Sequence, residues 1–433
     1  MSDRPNVLLV AIDTLRADHV SCYGYQKRTT PRLDELARDG VLFETCIAPG
    51  VPTHPGYTTI FTGVHPLRHK IVCHAGSVAL SDSIRTLPEL MRALGYVTAA
   101  VDNLAVEAPW FLRGYEHYIH SGGITVISRG IKVTGRVVTE KAATFLRQWR
   151  DGAYGDRPFF LFVHYWDPHA PYLPPEDLIE EFYEGPGPKL EPMLKRTRWG
   201  RLLLRGWLGD LIKRGRDDKN YVDASYDAEI RYADAMLGEL LDLLRDMGEY
   251  DSTLIIVTAD HGESMGENQV FYDHHGLYEW DVHVPLIMRL PGVLPRGARV
   301  GGLVTHEDVL PTVLEAIGAE PPPDVDGTSL VRLAGGRAAA REFVVCVENT
   351  RMTKRAIRTS RWKLIETMRP DIYGRPAGHI ELYDLRRGEG ENLVDESPDV
   401  ARELLYELET WYRAKLAGTP DPLATQEISL PVS

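Results

Sequence analysis

Hydrophobic positions along this chain fall into short unbroken runs that alternate with segments of helical periodicity. Unbroken apolar runs are typical of strands that are covered on both faces, as in a parallel sheet. Five runs predict such strands: NVLLVAI (6–12), VTAAV (97–101), FFLFVHY (159–165), TLIIVTA (253–259) and PLIMRL (285–290). Helical spacing is clearest in TTPRLDELARDG, in TLPELMRALG and over residues 222–247. The alternation predicts an α/β fold with a doubly wound, mostly parallel sheet flanked by helices.

The pattern changes after residue 335. The segments EFVVCVE, KRAIRTSRWKLIE and HIELYDL have the composition of antiparallel strands, and PDVARELLYELETWYRAKL has helical spacing. We therefore expect two domains. Residues 1–335 form the α/β domain, and residues 336–433 form a small C-terminal α+β domain with an antiparallel sheet and one helix.

A basic segment interrupts the α/β domain. Residues 189–219 contain ten Lys or Arg against four Asp or Glu, and they belong to a predicted helical insertion of about 177–221. Trp199 and Trp207 are interleaved with these charges. Three interpretations are open: a solvated insertion at one edge of the sheet, a lid that attracts an anionic substrate, and a helix that contacts a membrane surface.

Composition narrows the classes of function. The net charge of −13 and the 43% hydrophobic content are typical of an acidic soluble protein, and they argue against a nucleic-acid partner. The four cysteines lack metal-type spacing, the N-terminus shows no secretory signal, and no run approaches the roughly 18 apolar residues of a membrane span. We therefore expect a cytoplasmic protein with reduced thiols, and the sequence leaves a homo-oligomer open.

Polar residues that could carry chemistry lie next to the predicted strands. In an open α/β sheet, ligands bind beyond the carboxyl ends of the strands. The candidates after strands are Asp13, Asp167, His169, Asp260 and His261, and the pair His274 and His275 precedes the last strand. Carboxylates and imidazoles together, without cysteine ligands, suit Zn²⁺ or Mn²⁺. The sequence therefore predicts a site for a divalent transition metal at this edge of the sheet.

The stretch VPTHPGYTTIFTG places Thr53 at the start of a short predicted helix. A threonine before a proline-containing first turn is a common helix cap, and it is also a nucleophile that the helix amides and dipole would support. Asp13, Asp260 and His261, with the Thr53 oxygen, make a first predicted metal site. A metal at this hydroxyl would explain how it reacts near neutral pH.

Several motifs spread over nearly the whole chain carry a family resemblance. They are NVLLVAIDTLRADHVSCYGY, YDAEIRYADAMLGELL, IIVTADHGE, HHGLYEWDVHVPLI, THEDVLPTVLEAIG and ELYDLRRGEGENL. On these motifs the chain resembles the sulfatases, within the alkaline phosphatase superfamily. The resemblance implies a doubly wound α/β domain with a metal-dependent esterase site, and a small C-terminal sheet carrying one long helix.

The chain departs from the sulfatase pattern at the reactive positions. Thr53 stands where sulfatases have the Cys or Ser that becomes formylglycine, and Tyr57 stands where they have Arg. The other departures are Asp13-Thr14 for the usual Asp-Asp, Asp260-His261 for Asp-Asn, and His274-His275-Gly276 for Lys-His-Gly. Threonine cannot become formylglycine. Each change leads away from a calcium sulfatase site and toward a transition-metal phosphohydrolase.

The segment from Thr53 to Gly63 is instead similar to the nucleotide pyrophosphatase/phosphodiesterases, whose motif begins with a threonine nucleophile. His74 falls where that branch has an Asn that contacts phosphate. The resemblance implies a second metal held by Asp167, His169 and His275, although the spacing is not that of the branch. In sulfatases the residues matching His169 and His275 contact the substrate instead. The number of ions, one or two per chain, is therefore open.

These observations predict a metal-dependent phosphoester hydrolase that forms a covalent phosphothreonine on Thr53. Its substrate is a small anionic ester. A phosphodiester or phosphonate monoester is favoured, because Tyr57 and His274 occupy places where monoesterases have a cation. His169 and His274 would be catalytic, and His74, Tyr57 and His169 would bind the substrate. The alternatives are a sulfatase without formylglycine, a phosphomonoesterase, and a noncatalytic anion-binding protein that retains the fold.

Overall fold

The computed structural model describes residues 4–122 and 133–427. Its strands are β1 (Asn6–Ile12), β2 (Val41–Ile47), β3 (Gly50–Val51), β4 (Val97–Asp102), β5 (His117–His120), β6 (Phe159–Tyr165), β7 (Thr253–Thr258), β8 (Ser264–Met265), β9 (Phe271–Asp273), β10 (His283–Arg289), β11 (Ala298–Thr305), β12 (Phe343–Glu348), β13 (Lys354–Thr359), β14 (Trp362–Thr367) and β15 (Ile380–Asp384).

Helices alternate with the strands along most of the chain. They are α1 (Pro31–Asp39), α2 (Thr53–Thr62), α3 (Pro66–His69), α4 (Leu87–Ala93), α5 (Gly135–Arg150), α6 (Glu176–Phe182), α7 (Leu190–Leu194), α8 (Arg198–Leu203), α9 (Trp207–Lys213), α10 (Lys219–Asp246), α11 (Glu279–Val282), α12 (Val309–Ala316), α13 (Leu330–Ala334), α14 (Pro398–Leu416) and α15 (Pro422–Thr425). Among the described residues, no helix has the length and apolar character needed to cross a membrane.

A sheet of eight strands forms the centre of the α/β domain. Its order is β11-β2-β10-β7-β1-β6-β4-β5, and every residue of β1, β4, β6 and β7 is buried. This burial explains the unbroken apolar runs, because both faces of these strands are covered. The α/β class and the mostly parallel sheet are confirmed.

One strand of this sheet runs against the prediction. The apolar run at 285–290 forms part of β10, which is antiparallel to both of its neighbours, β7 and β2. The expectation of a parallel strand there was wrong, because a continuous apolar run records burial on both faces and carries no information about direction. The other four predicted strands are β1, β4, β6 and β7. All of their pairings in this sheet are parallel except the antiparallel pairing of β7 with β10.

A second sheet, in the order β15-β14-β13-β12-β3, forms the C-terminal part. Four of its strands are antiparallel neighbours, as predicted, and α14 spans the helix predicted from the sequence. The fifth strand, β3, comes from outside residues 336–433 and pairs in parallel with β12. The domain boundary at 335 stays a prediction, but this pairing ties the chain just before Thr53 to the C-terminal sheet.

The basic insertion folds as four short helices, α6 to α9, before the long helix α10. Trp199, Leu203 and Trp207 are buried, whereas Arg198, Arg201 and other cations are exposed. The exposed cations fit a solvated outer face, and the buried side chains face the interior of the protein. Contact of 189–219 with a membrane and a homo-oligomeric state both stay predictions.

Candidate functional site

The nucleophile candidate lies where a strand of the second sheet turns into a helix. Thr53 is the first residue of α2, directly after β3 and Pro52, and it is buried. The helix N-terminus lies close to the end of β7, since a Cβ added to Gly56 would lie 2.8 Å from the Asp260 carbonyl oxygen. Glycine is therefore the residue that permits this approach. The arrangement places a hydroxyl at the positive end of a ten-residue helix.

Three metal-competent side chains converge beside Thr53. Asp13 follows β1, and Asp260 and His261 follow the adjacent parallel strand β7, so that their ligand atoms lie within 4.8 Å of one another. The Thr53 Oγ1 lies 3.4 Å from the His261 Nε2. The structure thus brings together the four residues predicted for the first metal site.

The chemistry of these donors fits a divalent cation. Asp13 Oδ1 and Asp260 Oδ2 are buried without a hydrogen-bond partner among the described residues. The His261 Nδ1 lies 2.8 Å from the Gly262 carbonyl oxygen, to which it donates, and this leaves a lone pair on Nε2. Burial lowers the pKa of His261 to about 4, so the ring is neutral and able to bind a metal.

Electrostatics also point to a cation here. Burial and the nearby Asp13 carboxylate raise the pKa of Asp260 well above its usual value. Burial opposes the ionisation of Asp13 as well, but the hydrogen bond from His164 and the nearby histidines hold its pKa below the usual value. Two buried carboxylates this close repel each other, and a divalent cation between them removes the repulsion.

Thr14 marks a strained point at the same site. Its φ is +56°, a left-handed conformation that is uncommon for a β-branched residue. The Thr14 amide lies 3.4 Å from the Asp260 Oδ1, and the buried Thr14 Oγ1 has no hydrogen-bond partner among the described residues. Strain of this kind persists where the surroundings hold the backbone in place, and it is common at functional sites.

His164 supports the metal group from behind, and the sequence analysis did not identify it. It lies in β6 with both ring nitrogens engaged: Nε2 is 3.0 Å from Asp13 Oδ2, and Nδ1 is 2.7 Å from Asp102 Oδ1. Although burial disfavours the charged ring, the two carboxylates raise the pKa of His164 to about 9. The only sequence signal was a histidine inside the otherwise apolar run FFLFVHY.

We expect His164→Gln to weaken metal binding by about 10–100-fold, because an outer partner that orients a carboxylate ligand is lost. Isothermal titration of the metal-free protein with Mn²⁺ or Zn²⁺ measures this directly. His379→Gln, in the turn before β15, is the matched control and should leave the affinity unchanged. Unaltered affinity in His164→Gln would show that Asp13 needs no such support.

The residues predicted for a second metal are not brought together. His275 lies between two carboxylates, with Nε2 2.9 Å from Asp273 Oδ1 and Nδ1 2.9 Å from Glu348 Oε1. Burial opposes protonation, yet these neighbours raise the pKa of His275 to about 9, so that neither nitrogen offers a lone pair. In this structure His275 is paired with two carboxylates, and its role as a ligand of a second metal stays a prediction.

Asp167 lies away from this cluster. A Cβ added to Gly135, at the start of α5, would lie 3.3 Å from Asp167 Oδ2. Across residues 4–122 and 133–427, no group of three candidate ligands includes Asp167 or His169. The group that does form is Asp273, His274 and His275, whose members follow one another in the chain. The residues predicted for a second metal thus do not form one group, and the number of ions, one or two per chain, stays a prediction.

His169 and His274 lie at the pocket next to the first metal group. The His274 ring centroid is 4.2 Å from that of His261 and 5.7 Å from that of His169. Burial and the neighbouring histidines lower the pKa of His274 well below its usual value, so it is neutral. The His169 Nδ1 donates to the Ala170 carbonyl oxygen over 2.7 Å, which leaves the other nitrogen as an acceptor. The structure thus places both predicted catalytic histidines in the pocket that Thr53 also lines, with the His274 ring next to those of His169 and His261.

The predicted substrate-binding residues divide into two groups. His74 lines the pocket, and its Nε2 is 3.0 Å from Glu107 Oε2. Tyr57 is fully buried and does not line the pocket, and its ring packs 4.9 Å from that of His164. The substrate-binding role of Tyr57 is therefore corrected: the second turn of α2 points this side chain into the core.

His54, His74 and Glu107 form a further group of possible metal ligands. The Ala75 amide donates to His54 Nδ1 over 3.0 Å, which assigns the ring proton of neutral His54 to Nε2. Burial lowers the pKa of His54 to about 3, which keeps the ring neutral. With one nitrogen accepting and the other protonated, His54 has no lone pair for a metal, and the group is a hydrogen-bonded wall of the pocket.

One pocket joins these parts of the protein. It is lined by Pro52, Thr53, His54, His74, Asn103, Leu104, Val106, Glu107, Trp166, His169, Ala170, Trp199, Leu203, Trp207, Glu263, Tyr272, Asp273, His274, His275, Thr350 and Arg351. Arg351, from the β12–β13 connection, and Glu263 were not identified from the sequence. Arg351 Nε lies 3.1 Å from Asp273 Oδ2, and its guanidinium stacks 4.0 Å from the Trp199 ring. Nothing in the local sequence around Arg351 signals this position.

Comparisons with known proteins agree with this architecture. The sulfatase family model matches residues 5–319, and a model described as N-sulphoglucosamine sulphohydrolase, C-terminal, matches residues 266–411. The N-acetylglucosamine-6-O-sulfatase of Bacteroides thetaiotaomicron is 26% identical over 407 residues, covering 76% of this chain and 70% of that protein.

Two solved structures share the fold. The phosphonate monoester hydrolase of Agrobacterium radiobacter has a TM-score of 0.78 and 23% identity, covering 95% of this chain and 96% of that one. A second protein, solved in complex with its substrate D-glucosamine-2-N,6-O-disulfate, has a TM-score of 0.78 and 21% identity over 97% and 99% of the two chains. At these identities the likeness concerns the fold alone.

The family match covers most of the chain and includes every residue of the first metal group. Members of this family and superfamily are metal-dependent, and the carboxylate and imidazole cluster beside Thr53 supplies the corresponding donors. The chain therefore belongs to the sulfatase family, within the alkaline phosphatase superfamily, and is a hydrolase of sulfate or phosphate esters.

Proposed function

We propose that this chain hydrolyses phosphodiesters or phosphonate monoesters, with Thr53 as the nucleophile. One observation carries the proposal: a buried threonine hydroxyl at a helix N-terminus lies 3.4 Å from His261 Nε2, within the Asp13, Asp260 and His261 group. Threonine cannot become formylglycine, so this site needs a different nucleophile from that of the typical sulfatase. The Thr53 hydroxyl lies at the helix N-terminus beside His261, where a nucleophile is needed.

Asp13, Asp260, His261 and Thr53 would hold a single divalent ion, Mn²⁺ or Zn²⁺. Two carboxylate ligands with one imidazole suit either ion, and no thiolate is present to favour zinc alone. When bound, the ion supplies charge neutralisation and lowers the pKa of the threonine hydroxyl. His164, through Asp13, and the Thr14 amide, through Asp260, orient the two carboxylates.

The residues of the chain support a double displacement. In the first step the Thr53 Oγ–phosphorus bond forms, the bond from phosphorus to the leaving oxygen breaks, and that oxygen takes up a proton. In the second step water cleaves the phosphothreonine and restores the hydroxyl. His274, whose ring is next to that of His261, and His169, whose ring is next to that of His274, would contact the phosphoryl oxygens and transfer these protons.

The charges of the pocket favour a substrate with a single negative charge. His275 is paired with Asp273 and Glu348, and Arg351 is paired with Asp273. These two cations are thus balanced by carboxylates, and Tyr57 and His274 supply no further positive charge. A phosphomonoester dianion would bring two uncompensated negative charges into this pocket, whereas a diester or phosphonate monoester would bring only one.

We expect protein reloaded with Mn²⁺ or Zn²⁺ to hydrolyse an aryl phosphodiester and an aryl phosphonate monoester at least about tenfold more efficiently than the matched phosphomonoester. A tenfold preference corresponds to about 1.4 kcal/mol of differential transition-state stabilisation. The measurement is kcat/KM for the series with one leaving group. Preference for the monoester would contradict the charge argument.

A sulfatase that works without formylglycine is the second candidate, and one observation favours it. A sulfate monoester also carries a single negative charge, and the N-acetylglucosamine-6-O-sulfatase relative covers 76% of this chain. Including the aryl sulfate in the same substrate series separates the two candidates. Faster turnover of the sulfate would identify a sulfatase with a threonine nucleophile, and no turnover of any ester would favour a noncatalytic anion-binding protein.

A further inference from the structure

The inner side of the basic insertion forms a wall of the pocket. Trp199 and Leu203 in α8 and Trp207 at the start of α9 line the same cavity as Thr53 and His274. All three side chains are buried, with at most 8% of their surface exposed. The insertion therefore contributes apolar surface to the pocket, although its composition is strongly basic.

This wall lies close to the reacting groups. The Arg351 guanidinium stacks on the Trp199 ring at 4.0 Å and pairs with Asp273, the residue before His274. The Trp207 ring packs 6.1 Å from that of Tyr272, which precedes Asp273. The wall is thus joined through Arg351 and Tyr272 to the segment that carries the predicted catalytic residue His274, and all of them line one cavity. The part of a substrate that leaves the phosphorus atom would meet this surface.

The remaining apolar lining extends the same surface. Leu104 and Val106 lie in a short 3₁₀ helix after β4, and Trp166 and Ala170 follow β6. Val106 is 49% exposed, which places apolar surface at the mouth of the pocket as well. An apolar group on the substrate would therefore remove water from several side chains at once.

Some polar side chains that line the pocket are already engaged within the protein. Asn103 donates to the Gly122 carbonyl oxygen and accepts from the Ser121 amide. Thr350 accepts from the His74 amide, and the His74 ring contacts Glu107. A polyhydroxylated group placed against Trp199 and Leu203 would lose its hydrogen bonds to water and find few partners on that apolar surface.

We propose that Trp199, Leu203 and Trp207 bind the leaving group of the substrate and select an aryl or similarly apolar ring over a polyhydroxylated sugar. The proposal rests on the proposed function, since it assigns the alcohol side of the same ester. The indole N–H groups of Trp166 and Trp207 are buried without hydrogen-bond partners among the described residues. Each is a donor available to an acceptor on such a ring, and this fits an aryl ester that carries one polar substituent.

The test compares two leaving groups on one phosphonate, the naphthyl and the trifluoroethyl ester. We expect Leu203→Ala and Trp207→Leu each to lower kcat/KM for the naphthyl ester about tenfold and to change the trifluoroethyl ester by less than about threefold. Leu202→Ala, on the exposed side of the same helix, is the matched control and should change neither rate. An equal loss for both esters, or a preference of the wild type for a sugar ester, would overturn the assignment.

A binding measurement makes the result independent of turnover. Calorimetry with methyl(naphthylmethyl)phosphinate, a singly charged anion whose two carbon–phosphorus bonds resist hydrolysis, should show about tenfold weaker binding to Leu203→Ala than to the wild type and to Leu202→Ala. Leu203→Met, which conserves volume, should bind normally and guards against a folding defect. Equal affinity for all four proteins overturns the inference. Tight wild-type binding without hydrolysis of any ester would instead refute the proposed function and leave the leaving-group assignment standing.

Discussion

Thr53→Ala is expected to lower kcat/KM for the preferred phosphoester by at least about a thousandfold, because it removes the oxygen that forms the bond to phosphorus. Thr53→Ser keeps a hydroxyl at the helix N-terminus and should retain a measurable fraction of the activity. Steady-state kinetics with metal-loaded protein give both values. Thr62→Ala, in the last turn of the same helix, removes a hydroxyl that donates to the Thr58 carbonyl oxygen and accepts from the Val64 amide, and it should leave the rate within severalfold of wild type.

The comparison separates a nucleophile from a helix cap. A cap contributes about 1 kcal/mol to stability, so its loss would lower the melting temperature slightly and leave turnover largely intact. Thr53→Ala with near-normal activity would therefore mean that Thr53 only begins the helix. The same residue can serve both roles, since the amides that a cap satisfies are those that attract an anion.

Asp260→Asn is expected to have opposite effects on the metal-loaded and the metal-free protein. Metal affinity should fall by more than the roughly 10–100-fold that loss of an outer partner costs, because a direct ligand loses its charge. In the absence of metal, the variant should be more stable than the wild type, by about 1–3 kcal/mol, because one of two mutually repelling buried carboxylates is removed. Thermal unfolding with and without Mn²⁺ or Zn²⁺ measures both effects.

The Asp167→Asn variant is the matched control for that experiment. Asp167 is also buried, but it lies beside the start of α5 and away from the first metal group. We expect it to bind one ion per chain with wild-type affinity. A metal-free Asp260→Asn protein that is no more stable than wild type would show that Asp13 and Asp260 do not repel each other. Loss of an ion in Asp167→Asn would support the two-metal hypothesis.

Much of the fold was predictable because unbroken apolar runs and helical periodicity are local features of the sequence. The runs at 6–12 and 159–165 match β1 and β6 residue for residue, and the terminal helix matches α14. The short strand β3 was not predictable, because two residues carry no periodicity and pair with β12 almost 300 residues later. The direction of β10 was missed for the reason that burial does not encode direction.

The site could be predicted only for residues that come directly after a strand. Asp13, Asp260 and His261 converge because parallel neighbours β1 and β7 end at the same edge of the sheet. The state of His275 depends on Glu348, which is 73 residues away in the sequence and belongs to the other sheet. The same holds for Arg351, whose partners Asp273 and Trp199 come from separate segments. Such long-range pairs leave no signature in one sequence.

The proposed mechanism requires a covalent intermediate on Thr53, and rapid acid quenching would trap it. Metal-loaded protein is mixed with excess aryl phosphonate monoester, quenched within the first turnover, digested and examined by mass spectrometry. We expect a phosphonyl adduct on the peptide that contains Thr53. The adduct should be absent from Thr53→Ala and should form as fast as the burst of released aryl alcohol. A burst of alcohol with an unmodified Thr53 peptide, or an adduct on another residue, would contradict the proposed mechanism.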